Sequence, residues 1–181
     1  MSKMRLPILA LLLTLFGATQ VFAQRVIAYH QGEKNSLIQS WYWDQVTDVN
    51  YSFLQLAANG SVSLGLNGTF EADKNQNFAD FMVLANANGK RVTISVGGAS
   101  KIQAQNFKSN TSTDLKAAAL ATNIVKFATD NNLSGVDLDW EPESGFGVPT
   151  AAEWTRLASA LRTAINNSTN PNLELSAAVF P

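Results

Sequence analysis

Extended apolar stretches and stretches with helical spacing take turns along this chain. Arg25–His30, Asp48–Leu56, Arg91–Val96, Ser134–Glu141 and Leu173–Phe180 are strand-like, rich in β-branched and aromatic residues. Between them the spacing predicts a short helix or turn over Leu37–Val46 and longer helices over Phe70–Asn88, Thr113–Thr129 and Pro149–Ile165. Strand followed by helix, repeated, gives right-handed βαβ units and a parallel sheet. Both a doubly wound α/β sheet and a (β/α)8 barrel of the TIM type satisfy that pattern.

The expected inward faces follow from periodicity. In the first long helix Phe78, Phe81, Met82 and Ala85 share a side, and Asn88-Gly89 stops it. In the second, capped by Thr113-Asp114, the expected stripe is Leu115, Ala118, Ala119, Thr122, Ile124, Val125 and Phe127. In the third it is Trp154, Leu157, Ala158, Leu161 and Ile165. Val49, Tyr51, Phe53 and Gln55 are expected on one face of the second strand. Ala57–Thr69, rich in Asn and Gly, reads as a loop with room for a small hairpin. No element is assigned between Gly98 and Thr113.

The fourth strand carries the chemistry. Side chains alternate across a strand, so Asp137, Asp139 and Glu141 point one way while Leu138 and Trp140 point the other, into a packed layer. Three carboxyls on one face repel, and burial acts in the same direction, so at least one pKa is raised. A carboxyl still protonated near neutral pH is what a general acid requires. Acids at the C-terminal end of a strand suit the catalytic rim of a barrel. A full barrel takes about 250 residues and eight strands. The expected architecture is therefore a parallel (β/α)8 TIM-type barrel truncated after about five strands.

This stretch resembles glycoside hydrolase family 18, the chitinases and related endo-β-N-acetylglucosaminidases. Its Asp-x-x-Asp-x-Asp-x-Glu signature is matched by Asp137, Asp139 and Glu141, with Ser134 in place of the first Asp. Ser95-Val96-Gly97-Gly98 resembles the family's Ser-x-Gly-Gly motif on the third strand, and Asn50–Phe53 its second strand. The resemblance implies that Glu141 is the general acid/base. Asp139 would orient the substrate's acetamido group and share a proton with Asp137. Ser95 and Tyr29 would support Asp137, and Phe53 would wall the sugar site. Gly97 and Gly98 would allow close backbone approach. It further implies cis peptides at the second-strand aromatic and at Glu141-Pro142. The implied reaction is retaining, substrate-assisted hydrolysis of chitin or N-acetylglucosamine oligosaccharides, with no cofactor and no metal. An N-glycan-cleaving endo-β-N-acetylglucosaminidase, a lectin-like chitin binder and an inert fragment remain alternatives.

The remaining sequence bounds the context. Lys3 and Arg5, an apolar run from Ile8 to Phe16 and Val21-Phe22-Ala23 form a secretory signal peptide over residues 1–23. Residues 24–181 are then the N-terminal part of a catalytic domain, secreted or periplasmic, with no membrane association after cleavage. The apolar run is short of the ~20 residues a spanning helix needs. Removing the leader takes the net charge from −1 to −3, which disfavours a nucleic-acid partner. There is no Cys to form a disulfide framework. Trp41, Tyr42 and Trp43 read as a wedge against the barrel, and His30, the one histidine, as structural.

Overall fold

A computed structural model describes residues 24–32, 43–65, 71–142, 145 and 147–179. The expected leader Met1–Ala23, together with Trp41, Tyr42 and Phe180-Pro181, lies outside the described residues. In chain order the elements are β1 (Ile27–Gln31), a 3-10 turn (Trp43–Gln45), β2 (Asp48–Leu56), β3 (Val62–Ser63), α1 (Glu71–Ala87), β4 (Arg91–Gly97), α2 (Lys101–Asn110), α3 (Asp114–Asp130), β5 (Gly135–Asp139), α4 (Ala151–Asn166) and β6 (Glu174–Ala177).

Five strands pair in parallel in the order β1-β2-β4-β5-β6, and β3 folds back antiparallel on the end of β2. Each strand lies beside the next parallel strand of the chain. A doubly wound sheet reverses its direction of winding partway; this one does not. The winding is that of a barrel, an α/β sheet with its helices on the outer side.

The core fills the space between the sheet's outer face and the helices. Val49, Tyr51, Leu54, Val92, Ile94, Val136 and Leu138 are buried there against Phe78, Phe81, Leu120, Ile124, Leu157, Leu161 and Ile165. Trp140 stacks on Phe107 at 4.8 Å and packs beside Trp154, and its indole N–H donates to the Gly147 carbonyl at 2.8 Å. Trp43 packs on Phe81, and so does His30, stacked at 4.7 Å and lowered to about 4 by burial.

Four expectations are corrected. The register of β2 shifts between Ser52 and Leu54. A bulge of one residue inverts the alternation, so Leu54 and Leu56 join Val49 and Tyr51 in the core while Phe53 moves to the other side. In α3 the buried stripe is Ala117, Leu120, Ala121, Ile124, Val125 and Ala128. Leu115 is 82% exposed, and Ala118, Ala119 and Thr122 are exposed with it; beginning the stripe at Leu115 put it out of phase. Helix α2 was missed, because Lys101–Asn110 offers only Ala104 and Phe107 to the apolar core. Its other buried residues are amides: Gln103 bonds both backbone groups of Leu56, and Asn110 donates to the Ala57 carbonyl. Finally, β5 ends at Asp139, so Glu141 stands just beyond the strand.

At the N-terminal ends of the strands four charges close the floor of the sheet. Arg25 pairs with Asp48 at 2.7 Å and Glu174 at 3.0 Å, while Arg91 pairs with Glu174 at 2.9 Å and lies 3.5 Å from Asp48. Burial alone would push the Asp48 carboxyl up; hydrogen bonds from Arg25 and Thr47, with the charges of Arg25 and Arg91, hold it below the usual range instead. Hydrogen bonding from Arg91 does the same for Glu174.

Candidate active site

The register of the parallel strands assembles the site. Ser95 on β4 and Ser176 on β6 both lie directly beside Asp137 on β5. Asp137 is buried, and all its described hydrogen-bond donors are hydroxyls. Oδ2 accepts from Tyr29 at 2.8 Å and Ser95 at 3.0 Å, and Oδ1 accepts from Ser176 at 2.6 Å. Tyr29 belongs to β1, three places from β5 in the sheet order. Its reach across the inner face reflects how strongly the sheet curls. Desolvation is the main cause that pushes the Tyr29 phenol up to about 12, so it remains a donor at any working pH.

Asp139 and Glu141 face each other at the C-terminal rim. The Asp139 carboxyl is pushed up to about 7, first by burial, then by the Glu141 charge and the hydrogen bond the two share, then by Asp137. Near neutrality the Asp139 carboxyl is therefore still partly protonated, with Glu141 as its hydrogen-bond partner. Sharing between Asp137 and Asp139, expected from the sequence, is replaced here by sharing with the residue farther out.

An open cleft of about 370 Å³ receives these groups, lined by Tyr29, Gln31, Ser52, Phe53, Asp139, Glu141, Ala178 and Val179. Phe53 forms part of its wall. The glycines at the end of β4, Gly97 and Gly98, hold Phe53 and Asp139 close. Gly97 has φ +113°, and a Cβ there would stand 2.5 Å from the Asp139 carbonyl oxygen and 2.5 Å from the Phe107 ring. Gly98 donates to that same carbonyl at 2.8 Å, and a Cβ on it would meet the Phe53 ring at 2.7 Å. A larger concavity of about 780 Å³ lies on the outside, between α3 and α4, and contains none of the acid row.

The Ser52–Phe53 peptide is cis. Glu141-Pro142, expected cis, is trans; proline accepts either isomer at small cost, so its presence did not decide the geometry. Ser134 makes backbone bonds to Val92 and Glu174 at the floor end, away from the rim. Ser176 escaped the sequence reading. A Ser within an apolar strand carries no signal alone, and only the pairing Asp137↔Ser176 makes it notable.

Among solved structures, the fold is similar to a chitinase from Rhizomucor miehei (22% identity, TM-score 0.68, covering 86% of this chain and 47% of that one). It is also similar to the family 18 chitinase of the Flavobacterium johnsoniae chitin utilization locus (25% identity, TM-score 0.63, 84% and 45%). A third is the Cycas revoluta chitinase in complex with (GlcNAc)3 (21% identity, TM-score 0.70, 84% and 45%). The chain spans about half the length of these structures. The model of the family Glycosyl hydrolases family 18 matches residues 25–181. With a barrel-type winding beneath that match, this chain belongs to glycosyl hydrolases family 18.

Proposed function

We propose that this chain carries the catalytic half of a chitinase, hydrolysing β-1,4-linked N-acetylglucosamine with retention. Glu141 protonates the glycosidic oxygen. The carbonyl of the substrate's 2-acetamido group attacks the anomeric carbon, forming an oxazolinium ion as the leaving sugar departs. Asp139 accepts a hydrogen bond from the acetamido N–H, orienting it and offsetting the developing positive charge. Glu141 then takes a proton from water, which opens the oxazolinium and restores the original anomeric configuration. Asp137, held by the hydroxyls of Tyr29, Ser95 and Ser176, anchors the core end of the row.

One observation carries this reading. A carboxyl pushed up to about 7 hydrogen-bonds a second carboxyl, and both open on the cleft at the rim. The pair holds the proton a general acid delivers without needing acidic solution. Phe53 beside it offers a flat apolar wall, suited to the CH face of a sugar ring. The solved relatives are chitinases, one holding (GlcNAc)3, which favours chitin over N-glycans. Residues 1–23 act as a secretory leader in this proposal, and 24–181 as the exported N-terminal part of the catalytic domain.

The test is Glu141→Gln, with hydrolysis of a chromogenic chitobioside and binding of a chito-oligosaccharide by calorimetry measured side by side. Turnover should vanish while binding persists. Equal turnover in the variant and the wild type would refute the assignment.

A further inference from the structure

The acid row contains a choice. Asp139 lies between two carboxyls, Asp137 on the core side and Glu141 on the solvent side, and one proton cannot serve both. In this structure it bonds Glu141. The reason lies in what already occupies Asp137. A carboxylate offers about four acceptor sites, and Tyr29 and Ser95 both donate to Oδ2. Oδ1 has two sites, and the Ser176 hydroxyl takes one of them at 2.6 Å, the shortest of the three, so each oxygen of Asp137 has a donor without any help from Asp139.

We propose that Ser176 is a positioning residue: by holding Oδ1 of Asp137 it turns Asp139 outward, toward Glu141 and the bond to be cut. It never touches the reacting atoms. The side chain lies on the inner face of β6, where solvent reaches the residue, yet its hydroxyl points at a carboxylate that is 2% exposed. Without it, a buried carboxylate oxygen loses its donor, which is costly. The titratable groups facing Asp137 are Tyr29, already bonded to Oδ2, and Asp139 with Glu141 beyond it. Asp139 is therefore the replacement donor, and in supplying Oδ1 it abandons Glu141. The inference rests on the proposed function for its meaning, though its geometry stands apart from activity.

The experiment compares crystal structures of the wild type, Ser176→Ala and Ser176→Thr at neutral pH. Wild type and Ser176→Thr, which keeps a hydroxyl, should retain the Asp139–Glu141 contact. Ser176→Ala should replace it with an Asp139–Asp137 contact of about 2.5–2.7 Å. A Ser176→Ala structure that keeps Asp139 on Glu141 overturns the proposal. Should the alanine variant fail to fold, Ser176→Cys preserves volume with a weak donor and makes the same comparison. Chitobioside hydrolysis is measured on the same proteins. There, kcat should fall about tenfold in Ser176→Ala with KM unchanged, and Ser176→Thr should restore it. Absence of hydrolysis in every form, wild type included, counts against the enzymatic reading, while the carboxyl geometry still decides the role of Ser176.

Discussion

Replacing Asp139 with Asn should stabilise this chain, and by an amount that depends on pH. Burial and the neighbouring carboxyls push the wild-type Asp139 carboxyl from its ordinary 3.8 up to about 7 when folded. A group whose folded pKa is raised binds more protons in the native than in the unfolded state between those two values. Stability therefore falls as pH rises through that window. About three units at 1.36 kcal/mol each give on the order of 4 kcal/mol. Asn cannot ionise and has no such slope. The advantage of Asp139→Asn should be near zero at pH 4, grow through pH 5 and 6, and approach ~4 kcal/mol at pH 8. Urea denaturation of both forms at each pH measures it. Glu141→Gln should recover only part of that gain, because burial, the larger cause, remains. An advantage that is flat with pH, or that shrinks toward pH 8, would refute the claim that this carboxylate is held at a cost to the fold.

Two further substitutions probe the scaffold. Gly97→Ala should destabilise by about 2–3 kcal/mol in a thermal scan, since the new Cβ meets the Asp139 carbonyl and φ is +113°. In α3, Leu120→Ala should cost about 3 kcal/mol. Leu115→Lys should stay within about 0.5 kcal/mol, because Leu115 is 82% exposed. Equal losses for the two leucines would reinstate the discarded stripe.

The strands were legible because β-branched runs, Gly-Gly and Asn-Gly punctuate them plainly; β2 was read to the residue. Asp137 and Asp139 were legible for the same reason, since a period of two places alternate strand residues on one face; Glu141 continues the row just past the strand's end. What escaped depended on distant partners. Nothing local in Asn50–Leu56 announces the bulge that turns Phe53 toward the cleft. Lys101–Asn110 looks like surface because its buried Gln103 and Asn110 satisfy backbone groups of a strand some 50 residues earlier. Ser176 acquires its meaning from register alone. The proton shared with Glu141 rather than Asp137 depends on burial and hydroxyl placement, neither of which a sequence states.

The four charges under the strands carry a consequence for acid tolerance. Asp48 and Glu174 are held below their ordinary values by two arginines, so they stabilise above those values and surrender that support as the solution becomes strongly acidic. Asp139, at the opposite end of the same strands, responds in the reverse sense. One end of the sheet loosens in strong acid and the other as the solution rises toward neutrality. The optimum for folding should accordingly sit in the mildly acidic range, below the pH at which the rim is half ionised.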